Sequence, residues 1–299
     1  MENFALIFVA LFIGYIINKR GIFAKDTPII LNQFILYISL PATALLQIPK
    51  LSFSYEVFIP IIIAWMVMGI SALAIFYISK LSHFSKEVTG ALMLVGVLGN
   101  TSFVGIPIIQ AYFGDAALPY LLMYDQLGSF ILLSTYGTFI AAYYSSAKEV
   151  NTKAIMIKIV TFPPFLALLV ALLFIGTTFH PVVISVLSSF SSTIVPLALV
   201  AVGLQLRFKL PSEDIKPFLS ALGVKLLLAP LIAFALCSVF SWQNQAGFVS
   251  IMEAGMGPMI TAGVVASMAG LAPRLSSAIV GYGTLFSFVT TWIIFNLIK

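Results

Sequence analysis

Charge is what this sequence has least of. Only 8% of its 299 residues are Asp, Glu, Lys or Arg, against about 25% in soluble domains. Hydrophobic residues make up 61%, and the mean hydropathy is +1.12; a soluble fold is excluded. Cys237 is the single cysteine, so no internal disulfide and no cysteine metal cluster can form. The two histidines, His83 and His180, stand far apart in short loops. No Ser/His/Asp, HExxH or phosphate-loop constellation occurs, which argues against a membrane-embedded enzyme. The net charge of +5 and the pI near 9.2 come from basic residues scattered singly between apolar runs. That is not a phosphate-binding face, and no nucleic-acid partner is expected.

Long apolar runs are what the sequence has in their place. Segments of about 18 residues or more recur along the chain, each able to cross a bilayer. The expected fold is an all-α polytopic membrane protein with ten spans, at roughly 3–18, 29–48, 56–79, 88–112, 117–144, 154–176, 182–204, 215–239, 246–269 and 275–298. Glu2 precedes the first run and Lys19 and Arg20 follow it, the reverse of a cleaved signal peptide, so that run reads as a retained helix. Loops after the odd-numbered spans hold Lys19, Arg20, Lys25, Lys80, Lys86, Lys148, Lys153, Lys158, Arg207, Lys209, Lys216 and Arg274; the opposite side holds only Lys50 and Lys299. By the positive-inside rule both termini lie on the non-cytoplasmic side of a cell (inner) membrane.

Five spans per half is an odd number, so two tandem halves, 1–148 and 149–299, would have inverted orientations. Span 2 carries "SLPATALLQI" around Pro41 and span 7 carries "TIVPLALVAVGLQL" around Pro196. Span 4 carries "GNTSFVGIPIIQAYFG" and span 9 "MEAGMGPMITAGVVASMAG". The register between the two is not unique; aligning Gly114 with Gly270 sets Pro107 against Gly263 and Ser102 against Pro258. Proline lacks a backbone donor and crowds the preceding turn. Pro107 is therefore expected to break span 4, with Pro41, Pro196, Gly105 and Gly257 as further breaks or hinges. Backbone groups freed at a break are tolerated only inside protein or beside a watery cavity. The new half-helix N-termini favour an anion. Two such breaks meeting near the midplane would form a substrate site from Asn100, Thr101, Ser102, Pro107, Pro258, Thr261 and Gly263. A packing kink without a ligand is the competing interpretation.

The "N-T-x-F-x-G-I-P" core of span 4, the "LPA" of span 2, "VPLALVAVGLQL" and "YDQLG" together resemble the auxin efflux carrier family, which includes bacterial permeases and the plant PIN-FORMED transporters. The resemblance implies a scaffold domain, a transport domain whose fourth and ninth helices cross at their breaks, and elevator-type movement of anionic substrates. It also implies a substrate-contacting Asn at position 100 and a homodimer through the scaffold helices. The crossed-helix architecture is shared with the bile acid:sodium symporter relatives, which use a ninth-helix glutamate for sodium. Two departures stand out. The loop between the halves is short, and Gly263 stands where the plant pattern has a second proline.

Three ionisable residues lie well inside spans. Each costs roughly 2.5–3.5 kcal/mol on insertion scales, which marks it as a functional candidate. Glu253, just before the span 9 break, is expected to couple transport to a proton or to Na⁺; a structural hydrogen-bonding role competes. Asp125 could line a cavity, carry protons or contact the span 4 break. Lys225 could attract an organic anion, pair with a carboxylate or snorkel to the interface. No bound cofactor is expected beyond the coupling ion. The expected function is secondary active transport of small organic anions such as carboxylates. A sodium-coupled, bile-acid-like symporter is the nearest rival, and an anion channel is the rival of a different class; membrane lipids surround either.

Overall fold

The computed structural model describes residues 2–24, 26–50, 55–145, 157, 161–206 and 214–298. Lys25, Lys148, Lys153, Lys158, Arg207, Lys209 and Lys299, and the boundary at 148/149, lie outside them. Apart from one isolated bridge, every regular element among the described residues is helical. Six rods are long and apolar enough to cross a bilayer: Thr27–Lys50, Tyr55–Leu81, Asp115–Tyr144, Pro181–Gln205, Ile215–Val239 and Pro273–Ile298. Glu2–Arg20 is a further helix of 19 residues.

Pro163–Leu172 lies within the expected 154–176, of which residues 154–156 and 158–160 fall outside the described residues. Pro163 and Pro164 occupy its first turn, where missing N–H groups cost nothing. Beyond its end, Gly176 takes φ +78° and donates its amide to Pro49 O at 2.9 Å. Two of the expected spans are interrupted helices: one runs as Lys86–Val95 and Gly105–Phe113, the other as Gln245–Ala254 and Ile260–Met268.

The surface is that of a protein solvated by lipid. Phe8, Phe12, Leu73, Leu173 and Met268 are exposed, while Ser71, Ser250, Glu253, Thr284 and Ser287 are buried. Polar groups point inward because hydrocarbon offers them no partners.

The helices pack in two groups. Glu2–Arg20, Thr27–Lys50, Pro163–Leu172 and Pro181–Gln205 pack on one another. Tyr55–Leu81, Ile215–Val239, Pro273–Ile298 and both interrupted helices form the second group with Asp115–Tyr144. Gly14 and Gly203 hold the first group together by direct backbone approach. A Cβ on Gly14 would run into Val200 O, and one on Gly203 into Leu11 O. Small residues at such a seam are how helices associate where water supplies no driving force. Two hydroxyl pairs, Ser39 with Thr193 and Thr43 with Ser191, each at 2.7 Å, brace Thr27–Lys50 against Pro181–Gln205.

The expected break at Pro41 is absent. Ile35–Ser39 widens into a π turn immediately before Leu40–Gln47, and the rod continues. The wider turn accommodates both the proline ring and its missing donor. Val224–Leu228 does the same ahead of Pro230 and carries Lys225 within it. At Pro196 the interruption is slight: the helix pauses at Ser192 and Thr193 and resumes at Ile194.

Candidate functional site: the crossing of two broken helices

Each broken helix begins with a side-chain cap. Ser85 accepts from the Val88 amide, and Asn244 accepts from the Gly247 amide. Each first half is ten residues long and ends at a glycine, Gly96 or Gly255. Each second half is nine residues long. Between the halves the chains run extended and antiparallel, with Gly99 bridged to Pro258. The Asn100 amide donates to Gly257 O at 2.8 Å, and the Met259 amide to Leu98 O at 2.9 Å. The pair is reciprocal: exchanging Leu98, Gly99 and Asn100 for Gly257, Pro258 and Met259 turns one bond into the other. Two pieces of backbone that lipid could not solvate thus satisfy each other.

Pro107 does not cause the first interruption. The extended and turn segment covers residues 96–104, and Pro107 sits in the first turn of Gly105–Phe113. That register also replaces the Gly114–Gly270 alignment at the crossing, where Gly99, not Ser102, faces Pro258. The two interruptions differ in length, 96–104 against 255–259, because the first contains an extra turn at Thr101–Val104. Hence no single alignment register fits both sides of the break.

Asp125 holds that extra turn. Its Oδ1 accepts from the Thr101 hydroxyl and from Ser102 Oγ at 2.6 Å, and its Oδ2 accepts from the Gln126 side-chain amide. Asn100 Oδ1 accepts from the Phe103 amide at 3.2 Å, leaving Nδ2 buried and without a partner among the described residues. Asp125 and Gln126 lie in the π turn Met123–Phe130, which turns both polar groups inward.

The N-termini of the two second halves are unlike. Gly105 donates to Asn100 O at 3.0 Å, Ile106 to Ser102 O at 3.2 Å, and Pro107 has no N–H. The first-turn donors of that half-helix are therefore engaged. The amides of Ile260, Thr261 and Ala262 find no acceptor among the described residues, and Thr261 is exposed. Of the two second halves, only Ile260–Met268 has free first-turn N–H groups, of the kind that favour an anion, among the described residues.

Two opposite charges flank the crossing. Lys225 is 3% exposed, and its ammonium donates to Ala254 O at 2.8 Å, the carbonyl end of a half-helix. It packs against Gly99, where an added Cβ would meet Nζ at 2.9 Å. Glu253 is fully buried, and neither carboxylate oxygen has a hydrogen-bond partner among the described residues. It lies over Gly105, where an added Cβ would stand 2.6 and 2.8 Å from the two oxygens. Gly99 and Gly105 of the first broken helix therefore make room for Lys225 and Glu253. On the far side, Gly283 presses on the second break: a Cβ there would meet the Pro258 ring at 2.5 and 2.7 Å.

Cavities approach the crossing along both second halves. One, of about 480 Å³, is lined by Pro107, Gln110, Thr43, Gln47, Ser188 and Ser191. The other, of about 590 Å³, is lined by Ile260, Gly263, Ser267, Gln205 and Asn18. The first cavity reaches Thr43 and Gln47 towards the end of Thr27–Lys50 and the second reaches Pro28 and Ile29 at its start, so the two lie towards opposite ends of that helix.

Comparison with known sequences decides the family: residues 1–295 match the family described as membrane transport protein. The chain belongs to that family. The auxin efflux carrier resemblance of the sequence is thereby borne out, since this is the family of those carriers. An uncharacterized transporter of Methanocaldococcus jannaschii is 25% identical, with 99% of each chain covered. One of Methanothermobacter thermautotrophicus is also 25% identical, over 97% of this chain and 95% of the relative. The protein is a multi-pass membrane transporter.

Within this transporter family member, the crossing brings together Asn100, Thr101, Ser102, Gly105, Asp125, Lys225, Glu253, Gly257 and Pro258. Pro107 and Gly263 line the cavities towards opposite ends of Thr27–Lys50, and Pro41 and Pro196 lie in the other packing group. Sequence reasoning missed Gln126 and Gly99. Gln126 adjoins Asp125 in "YDQLG" and could have been found there; Gly99 acquires meaning only from its partner Pro258.

Proposed function

We propose that this chain is a secondary active transporter of small organic anions such as carboxylates, bound where its fourth and ninth helices cross. The observation that carries the reading is the reciprocal backbone pairing of two broken helices amid buried charge. Broken backbone at membrane depth is tolerated only inside protein or beside a watery cavity, and paired breaks of this kind are expected where a substrate passes. Lys225, Asn100 Nδ2 and the free amides of Ile260–Ala262 are donors suited to a carboxylate. The architecture we infer is ten spans in a five-plus-five inverted repeat, with the reciprocal bonds near its pseudo-two-fold axis. Helices 1, 2, 6 and 7 form the scaffold, and a homodimer would form through them. The remaining helices move as an elevator, exposing the crossing alternately to the cavities at Pro107 and Gly263. The protein sits in the cell (inner) membrane with both termini outside.

Asp125 already holds three donors, so its part is to position the turn that carries Thr101 and Ser102. Glu253 is the coupling group, its charge compensated by a cation during the cycle. Proton and Na⁺ are the inorganic candidates, Na⁺ being that of the bile-acid-like symporter alternative. A channel is disfavoured because polarity concentrates at the crossing instead of running as a stripe through the protein.

Counterflow in proteoliposomes tests the proposal. Preloaded unlabelled carboxylate should drive transient accumulation of labelled carboxylate, which a channel cannot produce. Flux without counterflow would reject a carrier.

A further inference from the structure

The crossing holds a buried carboxyl group, Glu253, and a buried amine, Lys225, that are not paired with each other. Among the described residues Glu253 carries no hydrogen bond on either oxygen, although the Lys225 ammonium belongs to the same cluster. That ammonium directs one N–H to Ala254 O; with three donors, it has two left. Burying an unpaired ion is costly in any protein interior, and more so at membrane depth. A chain that needed only a structural ion pair would have joined the two. This one separates them on two glycines of the first broken helix, Lys225 at Gly99 in the extended segment and Glu253 at Gly105, where the second half begins.

A ligand carrying one charge would satisfy one of these groups and leave the other stranded. We infer that the substrate carries both signs: a carboxylate that meets Lys225 and Asn100 Nδ2, and a primary ammonium that meets Glu253, as in an amino acid. The inference rests on the carboxylate-carrier reading and narrows it. The ammonium supplies the cation that Glu253 lacks, so the substrate's own charge does what a separate coupling ion would otherwise do. Asp125 does not compete for it, since both its oxygens are engaged by Thr101, Ser102 and Gln126. Gly105 follows from the same logic, because any side chain there would occupy the space of the Glu253 carboxylate.

Matched pairs differing only in the amino group provide the test: alanine and propionate, aspartate and succinate, phenylalanine and 3-phenylpropanoate. Each is added to the purified full-length protein, and thermal stabilisation is titrated with and without Na⁺. In at least one pair the amino member should bind about tenfold more tightly, the order of one charge-assisted contact. Glu253→Gln should abolish that preference, bringing the amino member down to the affinity of its des-amino partner in the same variant. Des-amino members that bind as well as their partners would overturn the inference and leave the carboxylate reading standing. Propionate, succinate or 3-phenylpropanoate raised to its partner's affinity by Na⁺ or by acid would also overturn it, by identifying an inorganic cation at Glu253. No stabilisation by any of the six compounds would reject the zwitterion and the carboxylate reading together. Should Glu253→Gln fail to fold, the wild-type pairs alone still decide.

Discussion

The two breaks share half-helix lengths, side-chain caps and a reciprocal pair of hydrogen bonds, yet they are finished differently. The first is closed by an added turn. Its amides bond back to Asn100 and Ser102, and Asp125 ties Thr101 and Ser102 in place. The second is short, leaves the Ile260–Ala262 amides open, and is wedged from behind by Gly283 against Pro258. The difference teaches that a repeated backbone solution can be specialised by side chains: one break is made rigid, the other is left with unsatisfied donors.

Four substitutions would break or sharpen that comparison. The largest effect is expected from Gly283→Ala, whose Cβ would meet rigid proline ring atoms at 2.5 and 2.7 Å. Overpacking of this kind costs about 1–3 kcal/mol, read as a lower melting temperature in detergent. An unchanged melting temperature would mean that the second break is not wedged. Asp125→Asn comes next. It leaves one of three donors without an acceptor, at about 1–2 kcal/mol, and should slow uptake by loosening the turn at Thr101. Equal melting and uptake would show that the turn holds itself.

Gly105→Ala should separate stability from transport. The atoms met are the mobile end of Glu253, so melting should change less than in Gly283→Ala while binding and counterflow are lost. Transport that survives with normal affinity would remove Glu253 from the site. Pro107→Ala should do least. The residue lies in a first turn where no donor is required, so stability should stay within about 0.5 kcal/mol. A large loss would restore Pro107 as the cause of the break.

Much of this was legible in the sequence, for physical reasons that also set its limits. Hydrocarbon tolerates so few charges that span positions follow from where they occur, and Tyr55–Leu81, Ile215–Val239 and Pro273–Ile298 lie close to their expected limits. The polar run at Asn100–Ser102 and the carboxylate at Glu253 announced themselves because lipid would punish both. Proline was a poorer guide. At Pro41 and ahead of Pro230 the helix widened instead of breaking, and at Pro107 the ring merely sits in a helix start. Whether a proline breaks a span depends on neighbours that a linear pattern does not contain. The Gly99–Pro258 bridge and the Gly14–Gly203 seam were hidden for the same reason, since each glycine is defined by a backbone far away in the chain.

Cys237 is buried, within 3.7 Å of Gly247 O, and it is the only thiol in the chain. To a membrane-impermeant alkylating reagent the native protein is therefore blank. A cysteine introduced at Pro107 and another at Gly263 would be the first reactive handles, one on each cavity wall. Their labelling from opposite faces of a sealed vesicle would report directly which mouth of the molecule is open.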